Sequence, residues 1–120
     1  MIAGSAAEAR VSAELWTSFL GLLRAYAAVA SLEGVPYMLT DRGDGFVAVQ
    51  AGTERLSLLF SPSRATIACV IGGACNCAYY SEEFTFLEDG RLASSTAIRE
   101  LDDVVIELIG KLRKKSERPQ

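Results

Sequence analysis

A chain of 120 residues has the length of one domain and can bury a core without disulfide or metal staples. Half of its residues are hydrophobic and 22% are charged, which excludes wholesale disorder. The net charge of −3 disfavours a general affinity for nucleic acid or anionic membrane. The absence of histidine rules out histidine general bases, Ser-His and Cys-His pairs and imidazole zinc sites.

The first ten residues are small and are expected to fray, although Ser5 and Glu8 stand at the spacing of a capping box. A helix is predicted from Ser12 to Leu32, stopped by Gly34. Leu15, Phe19, Leu22, Tyr26 and Val29 form one apolar stripe on it. Trp16, Leu20, Leu23 and Ala27 form a second stripe beside the first. A helix lying on one sheet needs a narrower apolar face than this. The surplus implies either deep burial or a partner, and Trp16, Leu20 and Leu23 are the candidate partner-facing residues. The run "LWTSFLGLL" lacks a positively charged leader, and the nearby Arg24 interrupts the apolar pattern. It is also too short to span a bilayer, so a cytoplasmic protein is expected.

Short β-type runs follow, each ended by a turn signal. They are "VPYMLT", "FVAVQ", "RLSLLF", "ATIACVI", "ACNCAYY" with "FTFL", and "RLAS" after the Asp89-Gly90 turn. Every connection is too short for a parallel crossover, so the sheet should be an antiparallel meander. A second helix is predicted from Thr96 as N-cap, with Glu100, Asp102 and Asp103 near its start. Its apolar stripe is Ile98, Leu101, Val105, Leu108 and Leu112. The expected fold is a single α+β domain over residues 1–120. An antiparallel meander of five to seven strands is flanked by an N-terminal and a C-terminal helix, both on one sheet face. Residues 116–120 are expected to fray like the first ten.

The three cysteines, Cys69, Cys75 and Cys77, fall within nine residues. They are the candidate thiolate set for a metal or a redox pair. Treating Gly72-Gly73 as a two-residue hairpin turn sets Cys69 on one sheet face with Ile67 and Ile71. Cys75 and Cys77 then lie on the other face with Val70 and Tyr79. Three thiols so divided do not converge on one ion, and their spacing is not a usual zinc spacing. Cys75 and Cys77 are also poorly disposed for a disulfide, being two apart on one strand. The favoured reading is strand filling, with no cofactor.

Other constellations carry less. "RGD" at Arg42–Asp44 reads as a glycine-rich turn, although Asp41 and Asp44 could touch a cation. Glu82-Glu83, Glu88-Asp89 and Asp102-Asp103 read as strand, turn and helix-start residues, with no shared cavity implied. Residues 1–110 hold seven basic and fourteen acidic side chains, whereas residues 111–120 hold five basic and one acidic. Tyr79 and Tyr80, with Phe84 and Phe86, form an aromatic run that serves as core or as a docking patch.

The function expected from these residues is a non-enzymatic protein-binding or assembly module that forms a homodimer or docks another protein. Trp16, Leu20, Leu23, Tyr79 and Tyr80 are its candidate contacts. A cysteine-based metal or redox protein using Cys75 and Cys77 is one alternative. A weak polyanion binder working through the basic C-terminal tail is another.

Overall fold

The computed structural model describes residues 6–34, 36–73 and 78–116, with side chains described up to Arg113. Helix α1 spans Ala9–Ser31 and helix α2 spans Leu101–Ser116. Between them lie β1 (Tyr37–Asp41), β2 (Phe46–Ala51), β3 (Glu54–Ser61), β4 (Thr66–Gly72), β5 (Ala78–Phe86), β6 (Leu92–Ala93) and β7 (Ile98–Arg99). The seven strands form one sheet in sequence order, and each pairs antiparallel with the next. The α+β meander expected from the sequence is therefore present, with both helices packed against the sheet.

The period-two pattern of the strands decides which face the helices cover. Val49 pairs with Leu56, and Leu56 pairs with Ile71. Val47 pairs with Leu58, and Leu58 with Cys69; Phe60 pairs with Ile67, and Ile67 with Phe84. All of these side chains are buried. Directly opposed residues share a face, so they make one continuous apolar floor.

The α1 residues Trp16, Phe19, Leu20, Leu23, Ala27 and Ala30 lie on that floor, at spacings of one, three and four. Trp16 stacks on Phe60 with ring centroids 5.1 Å apart. Phe86 meets Phe19 edge-on at 6.5 Å and Phe60 at 5.9 Å. Four aromatic rings thereby tie α1 to β3 and β5, in arrangements that add to plain burial. From α2, Val104, Val105, Leu108, Ile109 and Leu112 complete the core.

Three predicted boundaries move. The N-terminal segment is docked from Ala6 onward: Ala6 bridges Leu87, and the buried Ala7 donates its N–H to the Phe86 carbonyl at 2.9 Å. Residues 1–5 and 117–120 lie outside the described residues. Glu8 is the N-cap of α1 and makes no side-chain cap. The second helix does not start at Thr96. Ser94 donates its N–H to the Ala97 carbonyl at 2.8 Å, and this turn returns Ile98 and Arg99 to β6 as a strand. The helix begins three residues after Ile98, and its first turn carries Asp102 and Asp103 as expected.

The third difference lies between β4 and β5. Cys69 pairs with Glu82, Ile71 with Tyr80 and Gly72 with Ala78, with a register shift at Ile71/Gly72. The two-residue Gly72-Gly73 hairpin is therefore not formed, because β5 starts only at Ala78. Tyr79 is the extra residue at the bulge.

The loop after β1 turns on two glycines of positive φ, Gly43 at 82° and Gly45 at 93°. Only Gly45 is crowded: a Cβ there would stand 2.8 Å from the Phe60 carbonyl oxygen, whereas Gly43 has open space. Gly43→Ala is expected to cost about 1–2 kcal/mol from its backbone conformation alone. Gly45→Ala should cost more, because the strand carbonyl must also shift. Urea unfolding of the two variants tests this ordering.

Candidate interaction surfaces

The sheet face opposite the helices is built from alternate residues of the same strands. Across it, Thr40, Ala48, Ser57, Val70 and Ser81 make one row through successive pairs. Phe46, Leu59, Ala68 and Glu83 make the next row. Leu59 is 53% exposed, and Val70 and Met38 are exposed as well. The middle of this face carries no charge. Charges stand at its rim, where Arg42 and Arg55 lie over the Phe46 ring at 5.0 and 5.8 Å from its centroid. Arg64 approaches Glu83 at 3.9 Å at another edge. A notch of about 190 Å³ opens beside Val70, lined by Arg55, Ser57, Gly72, Gly73 and Ala78.

Of the residues expected to face a partner, Trp16, Leu20 and Leu23 lie in the chain's own core. The second apolar stripe of α1, together with Phe19 of the first, is what meets the sheet. The physical reason is the presence of α2 beside α1. Burial against both the sheet and a neighbouring helix uses a wider arc than one sheet alone requires. Leu15, Leu22 and Tyr26 of the other stripe are half-buried against the same core, and Val29 is exposed.

Tyr79 and Tyr80 separate. Tyr79 is exposed, and its hydroxyl donates a hydrogen bond to Glu54 across the bulged end of the sheet. Tyr80 faces the helix side and is half-buried. The Lys111 ammonium sits 4.9 Å from its ring centroid. Glu107 bridges Lys111, at 3.6 Å, and Arg99. These α2 and β7 charges make a polar border where the core opens beyond β5. Burial, then Glu82, Cys69 and Glu107, push the Tyr80 phenol up to about 12, with Arg99 opposing.

Cys69 is a free, buried thiol on the core face, as its alternation predicts. Burial, then Glu82, push its ionisation far above the ordinary range. A thiol held protonated in apolar surroundings is a packing group, not a nucleophile. Cys75 and Cys77 lie outside the described residues. Among the described residues, no group of three or more histidine, cysteine, aspartate or glutamate side chains is placed to hold a metal ion. The acidic pairs do not converge either. Glu82 and Glu83 fall on opposite sheet faces, and Asp89 turns back to bind Arg91 at 2.7 Å. Among the described residues, no helix is long and apolar enough to cross a membrane.

Comparison with known proteins finds no matching family model, no similar curated protein and no similar solved structure. The functional reading therefore rests on the chain's own surfaces. The uncharged middle of the open sheet face is the feature that sequence reasoning left without residues. Its signal was present in the alternation: each strand whose inner residues are Leu, Ile or Val also carries Ala, Ser, Leu or Val at its outer positions.

Two outcomes are expected from the buried groups. In a Cys75→Ser/Cys77→Ser variant, Cys69 should react with a disulfide reagent only as fast as the protein opens, and promptly once unfolded. Rapid native labelling would show that the thiol is reachable. For Tyr80, the folded phenol holds its proton more tightly than the unfolded one, whose ordinary value is near 10.0. Its contribution to stability is complete below that pH and is lost as pH rises towards about 12. Tyr80→Phe should flatten that part of the decline in urea midpoints.

Proposed function

We propose that this chain is a non-enzymatic assembly module that pairs with a second copy of itself through the open sheet face. The observation that carries the reading is the uncharged centre of that face, with Leu59 and Val70 standing above small residues. The chain as a whole is acidic, so two copies repel each other over most of their surfaces. The uncharged centre of the sheet face is where that repulsion is least and where apolar area is available.

The size is consistent with a modest interface. Five strands at about 4.8 Å spacing, with outward residues spread over roughly 20 Å along each, offer roughly 500 Å² per copy with the charged rim included. Two such faces bury about 1,000 Å² in total, near the lower bound for a specific interface. The expected dimer is therefore concentration-dependent. Sheets pack face to face in this way when alternate residues interdigitate, and the Ala48, Ser57, Ala68 and Ser81 positions leave room for Leu59 of a partner. The odd cysteine count supports a reducing, cytoplasmic setting.

Sedimentation and native mass spectrometry across a concentration series test the reading. The wild-type chain should shift from monomer to dimer. Leu59→Glu should remain monomeric, and its stability should change by no more than about 0.5 kcal/mol, because Leu59 is a surface residue within one chain. A wild-type chain that stays monomeric throughout would overturn the proposal, as would a Leu59→Glu variant that dimerises equally well.

A further inference from the structure

On the helix side of the sheet, a cleft of about 350 Å³ separates α1 from the loop between β1 and β2. That volume is at the small end for ligand sites and suits one or two side chains better than a large cofactor. One wall is apolar: Trp16 and Leu20 from α1, and Phe60 and Pro62 from the end of β3. The other wall is the loop with Asp41, Gly43, Asp44 and Gly45. Thr17 lies at the helix edge.

Both carboxylates are oriented by the loop's own backbone. Asp41 Oδ1 accepts the Gly43 N–H at 2.9 Å, and Asp44 Oδ1 accepts the Phe46 N–H at 3.2 Å. Their second oxygens already meet guanidinium groups. Arg24 reaches Asp41 Oδ2 at 3.1 Å, and Arg42 approaches Asp44 Oδ2 at 3.9 Å. These are exposed pairs, of a kind readily exchanged for an incoming cation. They also show that a guanidinium fits each carboxylate.

Trp16 adds a different signal. It is only 8% exposed. Among the described residues its indole N–H has no acceptor, yet it is not one of the atoms sealed from solvent. A buried aromatic with a free donor on a cleft wall is matched by a backbone carbonyl of a bound chain. The apolar wall would take the methylene stem of a lysine or arginine while the charged head meets the carboxylates.

We propose that this cleft binds a basic peptide segment. One arginine or lysine side chain lies along Trp16, Leu20 and Phe60, and its cation pairs with Asp41 and Asp44. The acidic balance of residues 1–110 favours approach of such a partner from a distance. The site does not depend on the sheet-face dimer, because it lies on the other side of the sheet.

Trp16 is the single tryptophan of the chain, so its emission reports on the cleft directly. The test is a fluorescence titration of the full chain with a capped triarginine peptide, with capped triglutamine as control. Triarginine should give a saturable change that triglutamine does not. An Asp41→Asn/Asp44→Asn variant should bind about tenfold more weakly or worse, corresponding to about 1.4 kcal/mol of charge-assisted contact. Asp102→Asn/Asp103→Asn removes the same charge from the start of α2 and should leave affinity within about twofold. Thr17→Arg places a cation at the cleft from the helix side without touching the loop, and should abolish the change. Leu59→Glu should bind triarginine as the wild type does, so that failure of the dimer and failure of the cleft are separable. Equal losses from the two aspartate pairs would reduce the effect to general charge attraction and overturn the site. So would equal binding of triglutamine, or an unsaturable response. Full retention in Thr17→Arg would also overturn it.

Discussion

The structure depends on one constraint: β3 and β4 must bury the same side of every pleat. Leu56, Leu58 and Phe60 alternate with Arg55, Ser57 and Leu59, and the register sets Ile71, Cys69 and Ile67 directly beside the first group. A slip of one residue would turn Arg55 and Ser57 towards the helices and put Leu56 and Leu58 in water. With that register held, β2 and β5 can add to the sheet in only one phase. The helices have only one floor on which to lie. The aromatic group of Trp16, Phe19, Phe60 and Phe86 then fixes where along the floor α1 rests.

This explains which parts of the fold were legible in the sequence. Strands with alternating apolar residues and clear turn residues declared themselves. "RLSLLF" and "ATIACVI" correspond to β3 and β4, and Asp89-Gly90 closes the turn before β6, with Gly90 at φ 92°. The sequence pattern places the start of α2 too early because Ile98 fits the helical stripe as well as it fits a strand. The turn in which Ser94 bonds Ala97, and the pairing of Ile98 and Arg99 back onto β6, decide between the two. The β4–β5 register departs from the expected one because a Gly-Gly pair is a strong turn signal that the fold does not use as a two-residue hairpin. Pairing is instead set by Tyr80 opposite Ile71 and Phe84 opposite Ile67, contacts that no local pattern displays.

The candidate sites were legible to a different degree. Alternation and helical spacing say which residues are apolar, but not whether a neighbour covers them. Trp16, Leu20 and Leu23 therefore read as free surface, whereas most of each packs into the chain's own core and only Trp16 and Leu20 reach the cleft. The open sheet face showed the reverse problem. Its Ala, Ser and single Leu positions have no conspicuous pattern, and they become a surface only once five strands lie side by side. The cleft joins residues near positions 16–20, 41–45 and 60–62. Its glycines and aspartates could be read as turn chemistry, but their placement beside Trp16 is a product of the tertiary fold.

The two proposed surfaces lie on opposite layers of the molecule, and this shapes how they would work together. In a dimer joined through the sheet faces, both helix layers point outward. Each copy would then present its cleft to solvent, on opposite sides of the assembly. A single basic segment would engage only one cleft, whereas a partner with two well-spaced basic segments would engage both. The second contact would then be intramolecular and governed by the linker between the segments. Individually weak clefts on a weak dimer would in that case strengthen each other. A partner bridging both copies holds them together, and the paired copies raise the partner's apparent affinity by the same factor.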